Sequence, residues 1–386
     1  MSQSVGTVET RFLSFGSADD PFVTAGGDAL PGVTIAYETY GQLNADRSNA
    51  ILLFHALSGS QHAAGTNKSV PGTDHRWTEE MHLGWWDSFV GPGRALDTNK
   101  YFVVCANYLG GCYGSTGPCS IDPTTQKPYG GRFPRVTVHD IVRSQLPLLE
   151  DLGIESVHAV VGTSLGGMMA LDFAVHWPER VVNVITIGTG LRSHGLQQMH
   201  NLEQIIAITR DPDFRGGDYD GTPGPVHGLA LARMISHKTF LYADVIEERA
   251  RVDIVQPETD LPWYEISSVL ESYMLYQGQK FVKRFDANSY LRIIDAWQQF
   301  DLYEDAQRAG VHPLFAKCLH QHYLVFTIDS DCCFYPDYQT EICSELKKAG
   351  VSYLRLTVHS EKGHDSFLLE PKLYTPHLAY ALSHRV

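Results

Sequence analysis

The stretch VVGTSLGGMMAL, residues 160–171, sets an apolar run, a serine between two glycines and a second apolar run within twelve positions. β-Branched residues lead into it and Leu, Met and Ala follow. It therefore predicts a buried strand that turns sharply into a helix. Gly162-Thr163-Ser164-Leu165-Gly166 has the small residues that such a turn needs, because a side chain there would strike the returning backbone. The turn lifts the Ser164 hydroxyl clear of a sheet and aims the Leu165 amide at the same space.

The flanking chain supplies that sheet. Apolar runs at 34–41 (TIAYETYG), 49–59 (NAILLFHALSG) and 100–110 (KYFVVCANYLG) end in Gly or polar residues, as buried strands do. Helical spacing follows at 138–154, then the strand into Ser164, a helix stopping near Trp177-Pro178, and a strand at 181–188. The alternation predicts an α/β fold with a mostly parallel sheet covered on both faces. It breaks after about residue 190, where the chain reads as helical, and resumes with strands at 322–330 and 352–360 and helices at 337–349 and 371–384. The expected organisation is one discontinuous core, 1–190 and 310–386, with a helical lid insertion over 191–309.

Composition narrows the partners. A formal net charge of −14 argues against nucleic acid and anionic membrane surfaces. No apolar run reaches membrane-spanning length, and MSQSVGTVETRF has no basic-then-apolar leader pattern. The seven cysteines are scattered with no paired CxxC set, which predicts no zinc site and a reduced, cytoplasmic protein.

A serine is a weak nucleophile without a base, so a histidine oriented by a carboxylate should follow in the order Ser, acid, His. Asp331 directly follows the strand at 322–330, and His364 lies in the loop SEKGHDSF after the next strand. Asp329 and His359 are the competitors; His359 falls within the strand pattern and reads as structural. The second oxyanion donor should come from the loop FHALSGS, 54–60, with the Leu57 amide as the best candidate. His55 reads as structural. Trp85 and Trp86 read as core or tunnel wall, Cys332 and Cys333 as small buried residues, and Lys280, Lys283 and Arg284 as a solvated helix face.

LLFHALSGSQHAAG, GWWDSFVGPGRALDTNKYFVVCANYLGGCYGSTGP, PYGGRFPRVTVHDIV, VVGTSLGGMMAL, HGLALARMISH, YQGQKFVKRFDANSYL, SDCCFYP and GHDSFL run in order along nearly the whole chain. Together they resemble the homoserine O-acetyltransferase family, α/β-hydrolase-fold acyltransferases of methionine biosynthesis. The resemblance implies Ser164 as nucleophile, Asp331 and His364 as its partners, and Leu57 and Leu165 as backbone oxyanion donors. It implies that Asp365 binds the acceptor's amino group and that the lid makes a homodimer contact. It implies acyl-CoA as co-substrate, a small hydroxy amino acid as acceptor, and no metal or redox cofactor. Succinyl-CoA as donor, serine as acceptor, and hydrolysis by the same fold are the alternatives. Two departures bear on the acceptor. An ungapped match of NLEQIIAITRDPDF places Ile205 where the family carries an arginine for the homoserine carboxylate, and Phe240 stands where a tyrosine is frequent. Thr163 replaces a usual glycine.

Overall fold

The computed structural model describes residues 4–252, 263–307 and 310–384. Eight strands form one sheet among them: β1 (Arg11–Phe15), β2 (Val33–Tyr40), β3 (Ala50–Phe54), β4 (Phe102–Ala106), β5 (Val157–Thr163), β6 (Val181–Ile187), β7 (His322–Ile328) and β8 (Ser352–Val358). Their order is β1-β2-β4-β3-β5-β6-β7-β8. From β4 to β8 every pairing is parallel, whereas β1 and β2 pair antiparallel with each other and β2 with β4. Sequence patterning missed β1. RFLSF is an edge strand with its residues exposed or half-buried, so it carries none of the continuous apolar signal of the central strands.

The central strands are buried on both faces, and their alternation divides the core in two. Leu52, Phe54, Val104 and Val160 face one apolar cluster; Ile51, Leu53, Val103 and Val161 face the other. The first is closed by helices α1 (Val138–Arg143), α2 (Leu146–Asp151), α3 (Leu165–His176) and, through Ile342 and Leu346, the helix Pro336–Ala349. The second is closed by the C-terminal helix Pro371–Ser383, through Tyr374 and Leu378, and by Trp86 and Phe89. The single helix expected over 138–154 is two: Pro147 opens α2 and cannot donate back into α1.

Between β6 and β7 the chain runs through α4 (Gly195–Thr209), α5 (Val226–Phe240), α6 (Ala243–Val252), α7 (Val269–Val282) and α8 (Ala287–Gln299). Residues 253–262 and 308–309 of the expected insertion lie outside the described residues. α5 packs against both α4 and α7, and also reaches the turn Gly363–Asp365 that follows β8. That contact brings α5 side chains to the C-terminal edge of the sheet, where β5 delivers Ser164.

Candidate active site

Ser164 is the hinge between β5 and α3. Its backbone stands at φ 56°, ψ −124°, a strained combination for a residue with a side chain. The strain is held by close packing that only glycine permits. A Cβ on Gly162 would lie 2.0 Å from the Gly166 carbonyl oxygen, and one on Gly166 would lie 2.3 Å from that of Phe54. The Ser164 amide donates to the Ile187 carbonyl at 2.9 Å, fixing the turn to β6. α3 is buried all round save for its last residue, so the turn is seated in the core. Leu165 opens α3, where first-turn amides have no helical acceptor.

Asp331 and His364 meet as the chain order predicts. His364 Nδ1 donates to Asp331 Oδ2 at 2.7 Å, and Asp331 Oδ1 accepts from the Cys333 and Phe334 amides, each at 2.7 Å. Both side chains are buried. With its proton on Nδ1, His364 presents a bare Nε2, which is buried and makes no hydrogen bond among the described residues. Burial opposes protonation of His364, but the Asp331 charge and hydrogen bond, with Asp365 adding to them, outweigh it and hold its pKa above the usual 6.5. The competing pair, His359 and Asp329, bond to each other at 2.8 Å on the surface, with His359 83 % exposed.

Ser164 and His364 line one cavity of about 170 Å³ together with Leu57, Trp85, Arg233, Phe240, Trp297 and Asp365. The Leu57 amide has no acceptor within the protein among the described residues. His55 is buried behind this loop, stacked on Tyr108 at 3.6 Å, and burial lowers its pKa to about 4. It is a neutral packing residue.

The acceptor side differs from the sequence expectation. Ile205 is a half-buried residue of α4 packed on the main core, and it does not line the cavity. The cations that do are Arg233, from α5, and Arg284, just beyond α7. The Arg233 guanidinium sits 5.2 Å from the Phe240 ring centroid and 5.0 Å from that of Phe281. It has no carboxylate within ion-pair distance among the described residues, although Asp365 and Glu80 both act on it electrostatically. Asp365 is its counterpart. Burial raises the pKa of its carboxyl, while His364, Arg233 and Arg249 oppose the shift. Arg284 is not on a solvated face. Its side chain is largely buried, pairs with Glu80 at 3.2 Å and donates to the Ser58 carbonyl at 3.1 Å, which braces the loop carrying Leu57. Lys280 also pairs with Glu80. Trp85 walls this cavity and the adjoining one lined by Glu80 and Lys280, whereas Trp86 is core.

Sheet order, a serine on a strained strand-to-helix hinge, and a buried His–Asp pair at the strand ends define an α/β-hydrolase-fold protein. The family model for the alpha/beta hydrolase fold matches residues 49–371. The homoserine O-acetyltransferase of Solidesulfovibrio magneticus is 42% identical over 95% of this chain and 90% of its own. The homoserine O-succinyltransferase of Magnetococcus marinus is 41% identical over 99% and 94%. The crystal structure of homoserine O-acetyltransferase from Bacillus anthracis superposes with a TM-score of 0.84 at 27% identity, covering 98% of this chain and all of the other. The chain belongs to the homoserine O-acetyltransferase family of α/β-hydrolase-fold acyltransferases.

Proposed function

We propose that this protein transfers an acetyl group from acetyl-CoA to the hydroxyl of homoserine through an acyl-Ser164 intermediate. One observation carries the acceptor assignment. A cavity holding Ser164 and His364 also holds Arg233, a cation with no ion-pair partner among the described residues, and the half-buried carboxyl of Asp365. That pair complements the carboxylate and ammonium of a free amino acid and leaves the amino acid's side-chain hydroxyl to meet the serine.

In the first half, the Ser164 hydroxyl attacks the thioester carbonyl and passes its proton to His364 Nε2. The developing oxyanion is met by the Leu57 and Leu165 amides. The C–S bond breaks and the thiol leaves with the proton. In the second half, the homoserine hydroxyl gives its proton to the same Nε2 and attacks the acyl carbonyl. Ser164 departs and recovers the proton. Asp331 keeps His364 in the Nδ1–H tautomer and stabilises its charged form. No metal or redox cofactor takes part in these steps; acyl-CoA is a co-substrate.

A succinyl donor is the second reading. Among the described residues Lys280 and Arg284 share a single carboxylate, Glu80, leaving a net positive charge beside the adjoining cavity, where a donor carboxylate could rest. The relative from Magnetococcus marinus bears that donor's name.

The reading includes a cytoplasmic homodimer. Leu196, Met199, Leu202 and Ile206 are exposed along one face of α4, which supports contact with a second copy. No described helix is long and apolar enough to cross a membrane. Sedimentation of Met199→Glu tests the dimer: an unchanged sedimentation coefficient would place the contact elsewhere.

Intact-mass spectrometry of protein mixed with acetyl-CoA alone tests the intermediate. Native protein should gain one acetyl group, released by homoserine, and Ser164→Ala should gain none. Stable acetylation of Ser164→Ala at the same rate would overturn the assignment.

A further inference from the structure

At the end of α3 away from Ser164, three side chains converge that the acyl-transfer chemistry does not use. Asp172 lies within α3, and His176, four residues on, shares its face. His139 comes from α1. The Asp172 side chain is 1 % exposed, while His139 and His176 stand at the surface at 36 % and 27 %. His139 Nδ1 is 3.2 Å from Asp172 Oδ2, and His176 Nδ1 is 3.2 Å from Oδ1. All the donor atoms lie within 4.8 Å of one another.

We propose that His139, Asp172 and His176 form a binding site for a divalent transition-metal ion of the zinc class. The spacing suits an ion as well as an ion pair, 3.2 Å being the long end of the ordinary N–H···O range. Charge-assisted N–H···O contacts are normally about 2.7–2.9 Å long. Two ligand atoms each about 2.0–2.1 Å from a shared tetrahedral ion stand about 3.3–3.4 Å apart. The observed separations are close to the second distance. Two imidazoles with one carboxylate is a donor set suited to such metals.

The surroundings are prepared for a cation. The His139 ring is stacked on Trp177, 5.2 Å between centroids and 7° from parallel, and meets the His176 ring edge-on at 4.5 Å. Its orientation is therefore held before any ligand arrives. His176 closes α3, whose C-terminal carbonyls carry partial negative charge. Asp305, the last residue of the short helix Leu302–Asp305 that follows α8, acts electrostatically on all three groups. His176 Nδ1 also lies 3.0 Å from the Asp172 carbonyl oxygen, so it gives up an intrahelical hydrogen bond and its proton when it ligates.

The cysteine spacing gave no hint of this group. His139 is 33 residues from Asp172 in sequence, and only the packing of α1 on α3 joins them.

The test uses the full-length protein, freed of metal by chelator and titrated with Zn²⁺ by calorimetry and with Co²⁺ by visible absorption. Native protein should bind one ion per chain at this site, give a Co²⁺ spectrum without thiolate charge-transfer bands, and melt at a higher temperature with Zn²⁺. His139→Gln and His176→Gln alter half-exposed side chains and should keep the circular dichroism of the native fold. Each should weaken binding by more than about tenfold, the loss that even an outer-shell change causes. Absence of binding, or equal affinity in native protein and the His139→Gln/His176→Gln double variant, would overturn the proposal. So would a thiolate-ligated Co²⁺ spectrum, which would assign the ion to the cysteines.

Discussion

Arg233 and Asp365 line the Ser164 cavity together and act on each other electrostatically, yet they form no ion pair among the described residues. Opposite charges held apart in a partly desolvated cavity are left to be satisfied by a ligand that carries both signs. The acceptor assignment rests on this relationship, and it can be broken from either side.

Arg233→Met keeps most of the side-chain volume over Phe240 and Phe281 and removes the cation. The KM for homoserine should rise about 10- to 100-fold, as expected from losing a charge-assisted hydrogen bond of about 1.5–3 kcal/mol. The first burst of thiol from acetyl-CoA should be unchanged, because the donor half-reaction does not use this contact. Stopped-flow thiol release and steady-state kinetics separate the two halves. An unchanged homoserine KM would remove Arg233 from the acceptor site.

Ile205→Arg provides the matching negative result. Ile205 packs on the core outside the cavity, so an arginine there should leave the homoserine KM within about twofold of native, the range of changes remote from a site. A fall in KM would show that the carboxylate is held near α4 instead.

His364 gives a pH prediction with a definite sign. It works as a base only when neutral, and its pKa is held above 6.5 by Asp331 and Asp365 against burial. The donor kcat/KM should therefore climb with pH on a limb centred above that value. Asp331→Asn removes the main raising influence and leaves burial, so the limb should move to lower pH while the rate falls about 10³–10⁴-fold. A pH–rate profile of both proteins checks this; a limb that does not move would mean that another group titrates.

Gly166→Ala probes the elbow's packing. The new Cβ would meet the Phe54 and His55 carbonyl oxygens at 2.3 and 2.6 Å, so β3 and α3 must separate. A loss of about 1–3 kcal/mol, typical of overpacking, should appear in urea denaturation, with acyl-enzyme formation impaired alongside. Native stability in this variant would mean that the turn is looser than described.

The sheet's parallel half, the Asp331–His364 pair and its placement on one cavity with Ser164 are legible in the sequence. Buried strands carry continuous apolar runs, and the fold delivers acid and base at fixed places after two of them. β1 is not, because an exposed edge strand lacks that run. Arg233 and Arg284 are not legible as cavity residues, for a different reason. The family match points to a segment of α4 for a cation, whereas Arg233 sits in HGLALARMISH on α5. A usable signal is present: Phe240, where the family frequently carries a tyrosine, is seven residues after Arg233, two turns along one helical stripe. Arg284 reads as solvated because charge patterning along a helix does not reveal that Glu80, about two hundred residues earlier, closes over it.

The central claim is that the acyl group on Ser164 passes to homoserine rather than to water. The direct measurement follows thiol release and O-acetylhomoserine formation together, from acetyl-CoA, with and without homoserine. Thiol release should be a single-turnover burst without the acceptor and become sustained with it, each thiol matched by one acetylated homoserine. Sustained thiol release at the same rate without homoserine, with free acetate as the product, would contradict it.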